Sequence, residues 1–270
     1  MQTNNVANQT KISFSERVAQ VMDVPRDVVA MALDYPSGHL IPFHCHPRAQ
    51  LLYAVSGVMV VTTRKGTWVV PPQRGVWIPP MMEHQIVTSG QLSMRTLYIK
   101  KDAVPSLPVD CCVVNITPLL RELILYMVNL PTPYPLGGPE QRIVAVIFDQ
   151  IQSLSIVPLS LPTPKDPRLR VIHEALLEDP SNSSTLEQWS HQVGASERTL
   201  ARIFRDETGM SFREWRQQFK LLEALKYLAN DVPVTTVAMT LGYDSVSAFI
   251  HMFKKALGRT PTGYFKDLLT

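Results

Sequence analysis

The stretch Val234–Phe265, VTTVAMTLGYDSVSAFIHMFKKALGRTPTGYF, decides how the rest of this sequence is read. Val234, Val237, Ala238 and Leu241 lie one to two helical turns apart and form one apolar stripe. Gly242 then interrupts the helix, and Phe249, Met252 and Phe253 open a second stripe after Ser245. Two short amphipathic helices joined by a tight glycine turn make a helix-turn-helix. About fifty residues upstream the pattern returns. Leu186, Trp189, Val193 and Gly194 repeat the offsets of Val234, Val237, Leu241 and Gly242. After a one-residue slip in the turn, Leu200, Ile203 and Phe204 match Phe249, Met252 and Phe253. Beyond the second helix, Gly209, Phe212 and Trp215 answer Gly258, Pro261 and Tyr264. Glycine stops and apolar stripes occur in any small helical bundle, but two copies in register imply a duplicated supersecondary unit.

Between the copies, Ser211–Ala229 places Phe212, Trp215, Phe219, Leu222 and Leu228 at helical spacing and predicts one long helix. At 1.5 Å per residue it spans roughly 28 Å, comparable with the ~34 Å between successive major-groove faces of B-DNA. One chain can then present two reading helices to adjacent grooves.

The same residues carry a resemblance. Ala238, Gly242, Tyr243, Ser245, Phe249, Phe253, Lys254, Gly258, Pro261 and Tyr264 fall where the AraC/XylS family of bacterial transcription regulators places its signature. The match covers about the last hundred residues. Phe265 departs from it, because the family has arginine after the tyrosine, and one phosphate contact goes with it. On the helix that Ser196 opens, Leu200, Ile203 and Phe204 are the buried positions, so Glu197, Arg198, Ala201, Arg202 and Arg205 face outward. An arginine there can donate two hydrogen bonds to guanine. Arg198 and Arg202 also stand where the resembled family contacts bases. On the second helix the outward positions are Ser247, Ala248 and His251, with Lys254 and Lys255 at its end and Ser245 or Asp244 at its start. The expected DNA-binding set is therefore Ser196, Glu197, Arg198, Arg202, Arg205, Ser245, Ser247, Ala248, His251, Lys254 and Lys255.

Charge does not announce this role. The net charge is +3, and from Lys165 onward 14 Lys and Arg face 13 Asp and Glu. Placement matters instead: Arg198, Arg202 and Arg205 crowd the first reading helix, and Arg213, Arg216 and Lys220 follow on the long helix, where they can meet phosphates. With 270 residues and 45% apolar content, the chain has material for two cores. The N-terminal MQTNNVANQTKISFSERVAQ has no export-type apolar run, and no stretch approaches the ~20 apolar residues of a membrane span, so a cytoplasmic location is expected. Cys45 and the adjacent Cys111 and Cys112 are an odd count with two neighbours, and are read as reduced thiols.

Residues 1 to about 25 are polar and predict a loose arm with one short element. From Val28 to about Ile99, short β-rich runs broken by glycine and proline predict a sandwich or small barrel: VVAMAL, QLLYAVSGVMVVTT, GTWVV, GVWIPP, QIVTS and LSMRTLYIK. Gly38, His44, His46, Gln50 and Gly57 fit the spacing of the first cupin motif. Pro79–His84 resembles the second, with Met81 in place of its glycine and Gly75 displaced. The region thus resembles the cupin-type sensor domain of regulators in the same family, with His44, His46, Gln50, Trp77 and His84 as the effector pocket. Cupins that hold metal converge two histidines, a carboxylate and a later histidine on one ion. Gln50 in the carboxylate position is a poorer ligand, which favours a metal-free pocket and no cofactor. A three-histidine zinc site from His44, His46 and His84 is the alternative.

Pro118–Val128 and Pro139–Leu154 read as helices, each with proline at its start. The second carries Ile143, Val144, Ile147, Phe148, Ile151 and Leu154 on one broad face, which either covers the barrel or pairs with a second copy. Pro158, Pro162, Pro164 and Pro167 mark an extended connector. The expected architecture is α+β with two domains. Residues 1–157 form a cupin-like sensor and dimerisation domain, with a barrel over about 25–100 and helices over about 117–154. A linker covers 158–167. An all-α DNA-binding domain covers 168–270, with helix-turn-helix units over about 185–207 and 234–256 joined by the long helix. The function this implies is a transcription regulator whose barrel senses a small molecule. Its implied partners are a double-stranded DNA operator, the effector, RNA polymerase and a second copy, with control of nearby transporter or catabolic genes. The alternative is a cupin-type metalloenzyme with a DNA-binding appendage. No nucleophile elbow or phosphate-binding glycine loop supplies another catalytic constellation.

Overall fold

Valine, tyrosine and threonine in short alternating runs give the first half of the chain an antiparallel sheet of nine strands among the described residues. The computed structural model describes residues 14–103 and 108–266. Helix α1 (Phe14–Met22) precedes β1 (Val28–Tyr35), β2 (Leu40–His44), β3 (Ala49–Thr63), β4 (Gly66–Val70), β5 (Arg74–Ile78), β6 (His84–Ile99) and β7 (Cys112–Asn115). Helices α2 (Pro118–Met127) and α3 (Pro139–Gln152) follow, then β8 (Ile156–Val157) and β9 (Ser160–Pro162). Of the N-terminal arm, residues 1–13 lie outside the described residues, and the expected short element is α1.

The two long strands organise the sheet. β3 pairs with β6 along most of its length, while its first half also pairs with β5 and its second half with β4. β6 in turn takes β2 on its first residues and β1 on its last. Both strands therefore pass from one half of the sheet to the other. The bend falls at Ser56–Val58, where the register shifts. Gly57 has φ +73 there, and a Cβ on it would stand 2.7 Å from the Gln91 carbonyl oxygen. Sequence periodicity divided β6 at Gly90. The structure keeps one strand and absorbs the glycine at φ +71.

Alternation along β3 separates two cores. Leu52 and Ala54 pack with Val76, Ile78, Ile86 and Met94. Leu51 and Tyr53 join Trp77, Leu97 and Ile99 on the other face, under Leu120, Ile124 and Met127 of α2 and Val144, Ile147 and Ile151 of α3. Of the two uses open to the apolar helix pair, the structure shows the covering one. The proline-rich segment, expected as an extended connector between the domains, is instead part of the sheet. Leu159 and Leu161 are buried, β8 pairs with β7, β9 pairs with β4, and Val69 N–H donates to the Leu159 carbonyl at 3.0 Å. Residues 156–162 thus close the sheet, and its last strand leads straight into the helical half.

That half comprises α4 (Pro167–Glu178), α5 (Leu186–Val193), α6 (Glu197–Thr208), α7 (Phe212–Ala229), α8 (Val234–Thr240), α9 (Val246–Leu257) and α10 (Pro261–Lys266). Its boundaries follow from capping chemistry. Thr185 with Gln188 and Ser211 with Glu214 form capping boxes, and the Ser196 and Ser245 hydroxyls accept from Thr199 and Ala248 N–H groups. Gly194, Gly209 and Gly258 end α5, α6 and α9 in the left-handed region. Both helix-turn-helix units bury the residues that the repeat pairs: Leu200 with Phe249, Ile203 with Met252, Phe204 with Phe253, Trp189 with Val237. The long α7 is unbroken and runs through their shared core. Among the described residues no helix is long and apolar enough to cross a membrane.

Candidate functional site

Helices α6 and α9 leave exposed the faces that the sequence assigns to DNA reading. Burial of Leu200, Ile203 and Phe204 leaves Glu197, Arg198, Ala201, Arg202 and Arg205 exposed. Burial of Phe249, Met252 and Phe253 leaves Ser247, Ala248, His251, Lys254 and Lys255 exposed. Ser196 and Ser245 are exposed as well, but their hydroxyls cap the two helices, so they set where each helix begins. Arg202 Nη1 pairs with Asp206 at 3.0 Å across one turn, both side chains being more than half exposed. Such a pair contributes roughly 0.3–0.5 kcal/mol and is readily exchanged for another partner.

Behind the reading helices, α7 supplies cations that sequence reasoning had treated as a plain row. Arg213 is exposed, while Arg216 lies 4.9 Å from the Phe212 ring centroid and donates to the Ser184 carbonyl at 2.8 Å. Lys220 Nζ sits 5.4 Å over the Tyr243 ring. With Gln217 and Met252 these residues line a cleft of about 270 Å³ between α7 and the second unit. Burial, and then the charge of Arg216, hold Lys220 below the usual lysine range. Two crowded cations in a partly dry cleft favour an anion. Gln217 carried no sequence signal and Tyr243 only its place in the family signature, since their approach to this cleft depends on how α8 and α9 pack on α7.

In the sheet domain, β2 and β6 pair His44 with His84, and the loop after β2 carries His46 beside them. The ring centroids stand 4.3 Å apart for His44 and His84, 5.3 Å for His46 and His84, and 6.0 Å for His44 and His46. Each ring is held from the backbone through Nδ1: His44 to the Pro42 carbonyl at 2.8 Å, His46 to Arg48 at 2.6 Å, His84 to Met82 at 2.8 Å. Gln50 Oε1 lies 3.1 Å from His46 Nε2. Burial pushes the His84 pKa down to about 3 and lowers those of His44 and His46, so the rings are neutral at pH 7.

The sequence expectation thus joins His44, His46, Gln50 and His84 at one place but errs on Trp77. Register pairs Gln50 with Ile78 and Leu51 with Trp77. The indole therefore lies on the opposite face, with its Nε1–H donating to the Pro108 carbonyl at 2.8 Å among the residues under α2 and α3. The missing glycines of the second motif also have a structural answer. Gln73 and Met81 hold φ +63 and +60, so the backbone keeps the left-handed turns without the residue that favours them, and Gly75 has no such role.

Residues 28–125 match the family described as AraC-like ligand binding domain, and residues 189–267 match one described as helix-turn-helix domain. Among curated proteins, the chain is 41% identical over 229 residues to the HTH-type transcriptional regulator NimR of Escherichia coli K12, covering 85% of this chain and 84% of that protein. It is 32% identical over 103 residues to the HTH-type transcriptional regulator RipA of Corynebacterium glutamicum, covering 38% of this chain and 31% of that one. It is 25% identical over 116 residues to the arabinose operon regulatory protein of Salmonella typhimurium, covering 42% and 41%.

Proposed function

The chain belongs to the AraC family of transcription regulators, and from that premise we propose that α6 and α9 read an operator whose occupancy an effector in the sheet domain controls. The observation that carries the reading is the duplicated unit. Two capped helices with polar outer faces are joined by the 18-residue α7, about 27 Å long and so close to one turn of B-DNA. Arg198 and Arg202 take the base-reading role on α6. The small Ser247 and Ala248 on α9 suit weaker contacts such as a thymine methyl. Arg205, Lys254, Lys255 and the cationic cleft on α7 hold the phosphates.

The two halves touch, which gives an effector a route to the DNA. Gly90 N–H and Ser37 hydroxyl of the sheet donate to Asn230 Oδ1 at the end of α7, at 3.1 and 2.7 Å. Trp215 Nε1–H lies 3.4 Å from the Pro162 carbonyl of β9. An effector that binds the docked and undocked arrangements unequally shifts their populations. The reading extends to a cytoplasmic homodimer that contacts RNA polymerase, controls nearby transporter or catabolic genes and catalyses no reaction of its own. Leu119, Tyr126 and Val146 remain exposed on α2 and α3 as a surface for the second copy.

Replacing Arg202 by alanine is expected to weaken specific operator binding at least tenfold, about 1.4 kcal/mol, within the ~1–3 kcal/mol of a bidentate arginine–guanine contact. The circular dichroism melt is expected to stay unchanged, because only an exposed pair is lost. Gel-shift titration against operator and scrambled DNA checks it, and equal operator affinity for variant and wild type refutes the assignment.

A further inference from the structure

Three cations meet at one place in the helical half, and no protein carboxylate pairs with them. Arg213, Arg216 and Lys220 follow one another at three and four residues along α7, so one face of the helix carries all three. Among the described residues none of them forms an ion pair. The acids of the same helix are committed elsewhere: Glu214 accepts from Ser211 in the capping box, and Glu223 pairs with Lys226. Burial and Arg216 hold Lys220 below the usual lysine range against the opposing pull of Asp179 and Asp244. The cations are also fixed in place. The Ser184 carbonyl and the Phe212 ring pin Arg216, and the Tyr243 ring lies under Lys220 Nζ. Tyr243 keeps its hydroxyl hydrogen at neutral pH, since burial pushes its pKa up to about 12. Gln217 adds an amide and Met252 an apolar wall to the cleft of about 270 Å³. Like charges held side by side in a half-dry cleft repel. A doubly charged oxoanion, or two neighbouring phosphates of a strand, relieves more of that repulsion than a single carboxylate.

We propose that this cleft is a phosphate-binding site, filled by a free phosphate ester or polyphosphate when the protein is off DNA and by backbone phosphate in the operator complex. The donor set fits that chemistry. A guanidinium fork offers paired N–H groups to two oxygens of one phosphate, an ammonium supplies a point charge, and phenol and amide supply neutral donors. Position gives the site a consequence. Ser184, which Arg216 holds, immediately precedes Thr185, the cap of α5, while Tyr243 lies in the turn between α8 and α9. A phosphate in the cleft therefore bears on both helix-turn-helix units, and a free phosphate and the operator exclude each other. Binding of the free anion stands apart from the reading of α6 and α9, whereas the exclusion rests on that reading.

The test begins without DNA, by calorimetric titration of the full-length protein with sodium pyrophosphate at constant ionic strength. Expected is one saturable equivalent per chain with a Kd of about 1 mM or below. Lys220→Gln is expected to bind roughly tenfold more weakly and Arg213→Gln about threefold, as the loss of one charge-assisted donor implies. Lys226→Gln, which removes the same charge from α7 outside the cleft, is expected to bind within about twofold of wild type. In gel-shift titrations, pyrophosphate at about ten times its Kd is expected to raise the wild-type operator Kd roughly tenfold over sodium chloride of equal ionic strength, and that of Lys220→Gln less than about twofold. Absence of saturable binding, or unchanged affinity in both Lys220→Gln and Arg213→Gln, overturns the site. Saturable binding that leaves operator affinity unmoved overturns the exclusion, and with it the placing of a DNA phosphate in the cleft. Should Lys220→Gln unfold by circular dichroism, Arg213→Gln decides by the same criteria at an exposed position.

Discussion

Trp215→Ala is expected to remove about 3–5 kcal/mol of stability and, with it, detectable operator binding at physiological temperature. Trp215 is fully buried at the first turn of α7. Its ring lies 5.7 Å from Phe204 of α6, stacks 6.0 Å from Phe219, and takes His173 of α4 edge-on at 5.4 Å. Its indole N–H is the group aimed at Pro162 of β9. One side chain therefore fixes α6, α4 and the last strand of the sheet against the joining helix. Truncation leaves a cavity walled by three helices that cannot all collapse inward, because α7 is also held at its far end. Urea denaturation followed by tryptophan-independent far-ultraviolet dichroism measures the effect. A loss below about 1.5 kcal/mol would mean that the helical half does not hang on this residue. The corresponding residue of the second copy, Tyr264, is buried too but sits on the short α10, so the duplication is symmetric in burial and asymmetric in what each ring secures.

Legibility followed the range over which each signal acts. The helix-turn-helix pair was readable because its information is local: a stripe at period 3.6, a hydroxyl before it and a glycine after it. All three signals fall at the caps and buried positions found in α5, α6 and α9. The histidine site was readable as a spacing, and His44, His46, Gln50 and His84 do meet. Trp77 failed on parity. Whether a strand residue faces the same side as Gln50 depends on the register of β5 against β3, which alternation within either strand does not contain. Strands β2, β7, β8 and β9 went unseen for a related reason. LIPFH, CVVN, IV and SLP are too short for a period, two of them contain proline, and they exist because a neighbouring strand offers a ladder. The connector was misread because proline content suggested stiffness in solution, whereas Leu159 and Leu161 between the prolines are core residues.

Gly90→Ala is expected to separate the two halves without unfolding either. No local pattern marks this glycine as more than a break in a strand, yet its partner lies about 140 residues away: a Cβ on Gly90 would fall 2.1 Å from the Ala229 carbonyl oxygen. That atom is backbone at the end of α7, so no side-chain rotation relieves the overlap. The left-handed φ of +71 adds a further ~1–2 kcal/mol for any residue with a Cβ. Moving α7 away breaks the hydrogen bonds from Gly90 and Ser37 to Asn230, about 1 kcal/mol each. Within β6, however, the same strand keeps its ladders to β1, β2 and β3 on either side of the glycine. Wild type, with sheet and helices sharing one apolar cluster, is expected to melt as a single calorimetric transition, and the variant as two. A variant that still melts as one unit within about 1 °C of wild type would refute close docking at Gly90. If docking is the route by which the sensor reports to the DNA, the variant also binds operator with an affinity that no longer changes on adding an effector. Arg202→Ala, by contrast, lowers affinity in both states alike. The two substitutions thereby separate the reading of DNA from its control.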